Sequence, residues 1–198
     1  MVSPRQRCIK PGSDQLRTKT RPSKTNEGKM KNIWFISDTH FNHEGILGFK
    51  DYIGKPVREF ANVNEMNEAM MDNWNSVVKP NDVVYHLGDV LFGENKVDWM
   101  EANFTKLNGT KHLILGNHDN PKFLAPFFKS IALWKEFDTI VCSHSPLHPQ
   151  TLAERHRFDD DILNVHGHIH TNPSPEGPYK CVSVEQINYT PINMEELV

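Results

Sequence analysis

Histidines and aspartates gather at five places along this chain. Asp38-Thr39-His40, Gly88-Asp89, Gly116-Asn117-His118-Asp119, His144 and Gly167-His168-Ile169-His170 each follow a short apolar run. Each opens a polar or glycine-containing segment, the pattern of a loop at the end of a strand. Seven of these residues, two carboxylates (Asp38, Asp89), one amide oxygen (Asn117) and four imidazoles (His40, His144, His168, His170), make a mixed oxygen and nitrogen donor set. Such a set suits Mn, Fe, Zn, Co or Ni better than Ca or Mg. The chain holds eleven histidines in 198 residues, and their placement in these loops points to metal or acid–base chemistry.

The elements that must position them follow from hydrophobic periodicity. Residues 32–37 form a compact apolar run that reads as a strand buried on both faces, ending at Asp38. Residues 62–78 read as a helix: Asn62 and Glu65 make a cap, and Val63, Met66, Met70, Trp74 and Val77 recur at helical spacing. The second strand, 82–87, ends at Gly88-Asp89. A second helix over 95–107 would place Val97, Met100, Phe104 and Leu107 on one face. The third strand, 111–115, delivers Asn117 and His118, with Gly116 expected to permit a tight turn. This alternation predicts parallel strands with crossover helices. Beyond a short Phe-rich helix at Pro121 the chain turns to β structure. Runs 131–135 and 137–142 are expected to pair, 162–165 leads into the last histidine motif, 179–184 is a final strand, and 194–198 is a last helical turn.

Composition bounds the class. At 37% hydrophobic residues, the chain is long enough for one domain with a sizeable core, and no apolar run reaches membrane-spanning length. Three widely spaced cysteines, Cys8, Cys142 and Cys181, exclude a disulfide framework and point to a reducing, cytoplasmic compartment. The net charge of −3 hides an asymmetry. Residues 1–31 carry nine Lys/Arg against two acids, leaving thirteen basic and twenty-three acidic residues in the rest. An acidic body suits a cation site and gives no long-range attraction for nucleic acid. Residues 1–30, basic and nearly free of apolar side chains, read as a disordered tail ahead of a 31–198 domain. Met30 directly precedes the first strand, so a product starting there would keep the whole domain; an intact mass including residues 1–29 would exclude this.

In this order, the five motifs resemble those of the calcineurin-like metallophosphoesterases, over about residues 31–198. The match is closest to small, cap-less bacterial and phage-type members, which share text like "SDTHFNH", "NWNSVVKPND" and "YHLGD". The resemblance implies an α/β four-layer α-β-β-α sandwich with two mixed sheets and the metal site at strand carboxyl ends. It also implies two divalent transition-metal ions, with manganese foremost. Asp38, His40 and His170 would hold one, Asn117, His144 and His168 the other, and Asp89 would bridge them. His118 would be a catalytic histidine outside the ligand set, oriented by Asp119. With Asn117 and His43, it would meet the substrate. The implied reaction is in-line attack of hydroxide on a phosphoester, with inversion at phosphorus.

Departures narrow the substrate. The protein Ser/Thr phosphatases of this superfamily carry an Asp-Arg-Gly after the second motif and an Arg before the third. Here Val90-Leu91-Phe92-Gly93 follows Asp89, and Leu115 stands in place of that Arg. A phosphodiester monoanion needs less neutralisation than a monoester dianion, so the expectation is a phosphodiesterase acting on a nucleotide-like or small diester. Arg58 and Arg155 are the cations that would favour a monoester instead. The alternatives are a phosphomonoesterase or nuclease of the same fold, or a non-catalytic scaffold that kept it. Of the other histidines, His86 and His112 read as core or sheet-edge residues, His166 as a packed neighbour of the site, and His148 and His156 as surface. Cys142 reads as inert packing.

Overall fold

The computed structural model describes residues 31–155 and 162–197. The basic tail and His156 lie outside the described residues, as does the side chain of Arg155. Among the described residues nine strands form two mixed sheets. The first has the order β4-β3-β2-β1-β9, from Ser130–Ala132, Thr110–Ile114, Val83–His86, Ile33–Ile36 and Ile192–Asn193. Its four long-range neighbours β1 to β4 pair in parallel, and β9 closes the edge antiparallel to β1. The second has the order β5-β6-β7-β8, from Trp134–Glu136, Ile140–Ser143, Leu163–His166 and Tyr179–Cys181. In it β6, β7 and β8 are parallel and β5 is antiparallel to β6.

The layers follow from which face of each strand is apolar. Phe35, Leu87 and Ile114 of the first sheet meet Ile140, Cys142, Val165 and Val182 of the second in one buried cluster. The opposite face of the first sheet packs on helices. In α1 (Val63–Val77), Asn62 caps the start by accepting the amides of Asn64 and Glu65, and Met66, Met70 and Trp74 are buried. In α2 (Lys96–Ala102), Met100 is buried; α3 (Pro121–Leu124) adds Leu124. The fourth layer is thin: the helix α4 (Pro149–Arg155) is the crossover between parallel β6 and β7. One face of that sheet already meets the other sheet, so α4 lies on the outer face. Among the described residues no helix is long and apolar enough to cross a membrane.

Three expectations change in detail. The 131–135 run does not act as one strand. It divides at the exposed Leu133, with β4 joining the first sheet and β5 the second. The helix over 95–107 stops at Ala102 and continues as a 3-10 turn at Phe104–Lys106. Val97, expected on its buried face, is 51% exposed, because the shortened helix buries only the side of Met100.

At the carboxyl ends of the parallel strands the two sheets are stitched together. Ser37, just after β1, forms a parallel bridge with Ser183. The Ser37 amide donates to the Val182 carbonyl at 2.9 Å, and the Val184 amide to the Ser37 carbonyl at 3.1 Å. This seam brings the loops after β1, β2 and β3 against those after β6, β7 and β8. Ends of parallel strands are where loops of such sheets collect.

Candidate metal centre

Five of the residues expected to bind metal sit in the left-handed region of backbone space: Asp38 (φ 56°), His40 (43°), Asp89 (57°), His168 (73°) and His170 (50°). Side-chained residues in this region are uncommon, and clustered strain of this kind marks sites that the surrounding fold over-determines. The glycines between them supply close approach. A Cβ on Gly116 would run into the carboxylate and amide of Asp89, and one on Gly167 into the Ser37 hydroxyl and the Asp38 carboxylate. Gly116 is absent from the positive-φ positions, so its role is to let Asp89 approach, and the expected tight turn is not its reason. Gly88 does both: φ is +99°, and a Cβ would meet Gly116 and the His144 ring at 2.6 Å.

Two overlapping groups result, Asp38 with His40 and His170, and Asp38 with Asp89 and His144, each with ligand atoms within 4.8 Å of one another. Asp89 Oδ2 lies between the Nε2 atoms of His40 (3.7 Å) and His144 (3.5 Å). Its other oxygen, Oδ1, accepts the His118 amide at 2.9 Å. Asp38 Oδ2 accepts the His168 amide and the Ser183 hydroxyl, both at 2.8 Å, while its Oδ1 is buried with no partner.

The imidazole contacts reveal what these groups await. His144 Nδ1 lies 2.7 Å from the Leu87 carbonyl. A carbonyl only accepts, so Nδ1 carries a proton and Nε2 is left as the atom of this ring that could bind a metal. Yet Nε2 is 2.9 Å from Asn117 Oδ1, 3.2 Å from His168 Nδ1 and 3.5 Å from Asp89 Oδ2. The amide oxygen of Asn117 and the Asp89 carboxylate are both acceptors, and neither gives a proton to this nitrogen; a cation among them would satisfy all three atoms. His170 is held likewise: Nδ1 donates to Glu185 Oε1 at 2.9 Å, which turns Nε2 toward the centre. That is the carboxylate–histidine arrangement that orients metal-ligating imidazoles. Burial, aided by the nearby Arg58 charge, pushes His40 down to about 2, and burial with the neighbouring His144 lowers His168. Both rings are therefore neutral and able to donate at physiological pH. The donor set fits divalent transition metals.

Comparison with known proteins agrees. The calcineurin-like phosphoesterase family model matches residues 31–197. The chain belongs to the calcineurin-like phosphoesterases. An uncharacterised protein of Methanocaldococcus jannaschii is 38% identical over 176 residues, spanning 85% of this chain and 90% of that one. The gene 66 protein of Mycobacterium phage L5 is 28% identical over 175 residues, spanning 72% and 79%. The crystal structure of a protein of unknown function from Aquifex aeolicus is 30% identical, with a TM-score of 0.66 over 85% of this chain and 98% of that one. As a member of this family the chain is a metal-dependent phosphoester hydrolase of α/β fold.

His118, expected from the sequence to be a catalytic histidine, is exposed. Its ring lies 5.8 Å from that of His40 and 5.5 Å from Phe92, centroid to centroid. Asp119 does not orient it. The Asp119 carboxylate accepts the amides of Asp89 (2.9 Å), Gly116 (2.9 Å) and Val90 (3.0 Å), clamping the second and third motif loops together. The sign of its shift shows which effect wins: burial raises its pKa, and the three amides offset this only in part. His43 is half-buried beside His40, between the rings of Phe92 (4.3 Å) and Phe49 (5.7 Å). Leu115 packs with the helix-side core.

The other polar residues take structural places. His86 is fully buried, receiving the Gly88 amide on Nδ1 (3.2 Å) and facing the Thr39 hydroxyl through Nε2 (2.9 Å). His112 bonds Ser130 Oγ and stacks on Tyr85, and His166 is buried against Ser174 and Gly167. His148 is exposed. Cys142 lies in the inter-sheet core, where burial pushes its thiol up.

Two residues that support the site lie outside the sequence motifs. Arg58, with a side chain 0% exposed, donates to Glu185 (2.7 and 2.8 Å) and to the carbonyls of Thr39 (2.8 Å) and Asp38 (2.5 Å). It is committed to the scaffold under the site, so it is not the phosphate-binding cation considered from sequence. Glu185 relays that anchorage to His170. The one sequence signal for it was an acid set among apolar residues, Val182-Ser183-Val184-Glu185.

Proposed function

We propose that the chain is a dinuclear metallophosphodiesterase acting on a small or nucleotide-like diester. The observation that supports this is the gathering of Asp38, His40, Asp89, His144 and His170 in two overlapping groups of ligand atoms, with Arg58 buried beneath them. Asp38, His40 and His170 would hold one ion, Asn117, His144 and His168 the second, and Asp89 would bridge. Two divalent cations, balanced by the two aspartates, would supply a net positive centre that polarises the phosphoryl group and makes water acidic enough to attack it near neutral pH.

The protein's own groups divide the remaining work. Asp89 Oδ1 holds the His118 amide, which sets the third motif against the centre. His118, exposed and with no side-chain hydrogen bond among the described residues, would give a proton to the leaving oxygen. Asn117 contributes a neutral oxygen and adds no negative charge. His43, whose pKa is lowered by burial and by Arg58, would meet substrate as a neutral hydrogen-bonding ring. No arginine among the described side chains is available to pair with a dianion in the way the protein phosphatases do, which supports a monoanionic diester.

The test compares hydrolysis of bis(p-nitrophenyl) phosphate and p-nitrophenyl phosphate by the manganese-loaded chain. The expected result is a higher kcat/KM for the diester. Faster monoester turnover would overturn the diesterase assignment, and no turnover of either with metal bound would favour a scaffold.

A further inference from the structure

A cleft of about 490 Å³ opens beside His170, within the range of small-molecule sites. One wall is the segment His170-Thr171-Asn172. The other is a small hairpin-like loop carrying Phe49, Lys50 and Tyr52. Both walls are fixed by their own bonds. Across the loop the Asp51 amide donates to the Lys55 carbonyl (2.8 Å) and the Val57 amide to the Phe49 carbonyl (2.9 Å), around an antiparallel bridge of Lys50 with Pro56. Asp51 Oδ1 also accepts the amides of Ile53 and Lys55. Opposite, Gln186 Nε2 donates to the carbonyls of His170 (2.5 Å) and Asn172 (2.9 Å).

This loop holds Tyr52 85% exposed and Phe49 54% exposed. Aromatic faces standing in water beside a phosphoester centre offer a stacking platform. The facing wall is polar, with the Thr171 hydroxyl and the Asn172 side-chain carbonyl, whose partner Nδ2 already donates to the Ile169 carbonyl at 2.9 Å, and Lys50 adds an ammonium. An acyl chain would leave that wall unpaired. A planar heterocycle with hydrogen-bonding edges matches both sides.

We propose that this cleft is a nucleobase subsite, in which the base of a nucleoside phosphodiester stacks on Tyr52 and Phe49 while its phosphate sits at the His170 side. The assignment rests on the diesterase reading and names its substrate class. Stacking one base on an aromatic side chain changes binding by about fivefold to a hundredfold.

Two measurements on the manganese-loaded full chain separate the subsite from the activity. The first is the ratio of kcat/KM for the p-nitrophenyl ester of thymidine 5′-phosphate to that for methyl p-nitrophenyl phosphate, which share a leaving group. The wild-type ratio is expected to be at least about fivefold, to approach one in Tyr52→Ala, and to return in Tyr52→Phe. The second is calorimetric binding of thymidine 5′-(methyl phosphate) and of dimethyl phosphate to His118→Ala, with and without Tyr52→Ala. Selective, Tyr52-dependent binding without turnover would keep the subsite and remove the enzymatic reading. Turnover with a ratio near one and no effect of Tyr52→Ala would remove the subsite and keep the enzyme. The dinucleotide TpT and a single-stranded oligothymidylate then distinguish a free nucleotide from a nucleic-acid end; Tyr52-independent use of both would also overturn the subsite.

Discussion

Removing Arg58 should cost more stability than removing any residue that reaches the solvent side of the site. The Arg58 and Glu185 side chains are 0% and 2% exposed, so screening by water does little for either. Arg58→Met leaves the Glu185 carboxylate buried without its cation, and leaves the carbonyls of Asp38 and Thr39 without a donor. Breaking a buried pair by removing one partner costs about 3–5 kcal/mol. For a folded unit of this size that lowers Tm by roughly 6–20 °C. The assay is urea and thermal unfolding of the chelator-treated chain, so that metal binding does not mask the change. The double variant Arg58→Met/Glu185→Leu removes the orphaned charge and should be more stable than Arg58→Met alone. It should still bind metal poorly, because His170 loses its hydrogen-bond partner and the Asp38 turn its anchor. A loss below about 1 kcal/mol in Arg58→Met, or a double variant with native metal affinity, would refute this account of the network.

Further outcomes follow from other residues. His118→Ala should lower kcat for diesters by about 10²–10⁴-fold while two ions per chain still bind, as read by activity beside elemental analysis. Gly116→Ala should abolish metal binding, because the added methyl occupies the space of the Asp89 carboxylate; native stoichiometry in that variant would contradict this packing. Acid should destabilise the metal-free chain through His86, which burial and the nearby His144 push down to about 3. A histidine depressed on folding contributes stability that is present above its unfolded pKa of about 6.5 and is lost as pH falls toward the folded value. Unfolding free energy should therefore decline by several kcal/mol between about pH 6.5 and 3, and His86→Gln should flatten that decline.

Most of the cluster was legible in the sequence because residues able to bind metal are chemically conspicuous. Asp38, His40, Asp89, Asn117, His144, His168 and His170 are polar residues placed where apolar runs end, and the fold brings all seven together. What escaped was whatever depends on contacts between distant segments. Arg58 lies in an irregular stretch 127 residues from Glu185, and no periodicity announces such a pair. Asp119 reads as a partner for its neighbour His118, yet its carboxylate is taken by the amides of Asp89 and Val90 in the preceding motif loop and of Gly116 in its own, which sequence adjacency does not reveal. The same limit applies to the sheets. Nothing in residues 131–135 marks the crossing at Leu133 from one sheet to the other, because both halves share the strand pattern.

The central claim is that two ions, bridged by Asp89, act together on a diester. The most direct test titrates manganese into the metal-free chain while following bis(p-nitrophenyl) phosphate hydrolysis and bound metal in the same samples. Activity is expected to stay low through the first equivalent and rise with the second, and Asp89→Asn should remove that second phase. Activity complete at one bound ion per chain, or no hydrolysis with two bound, would contradict it.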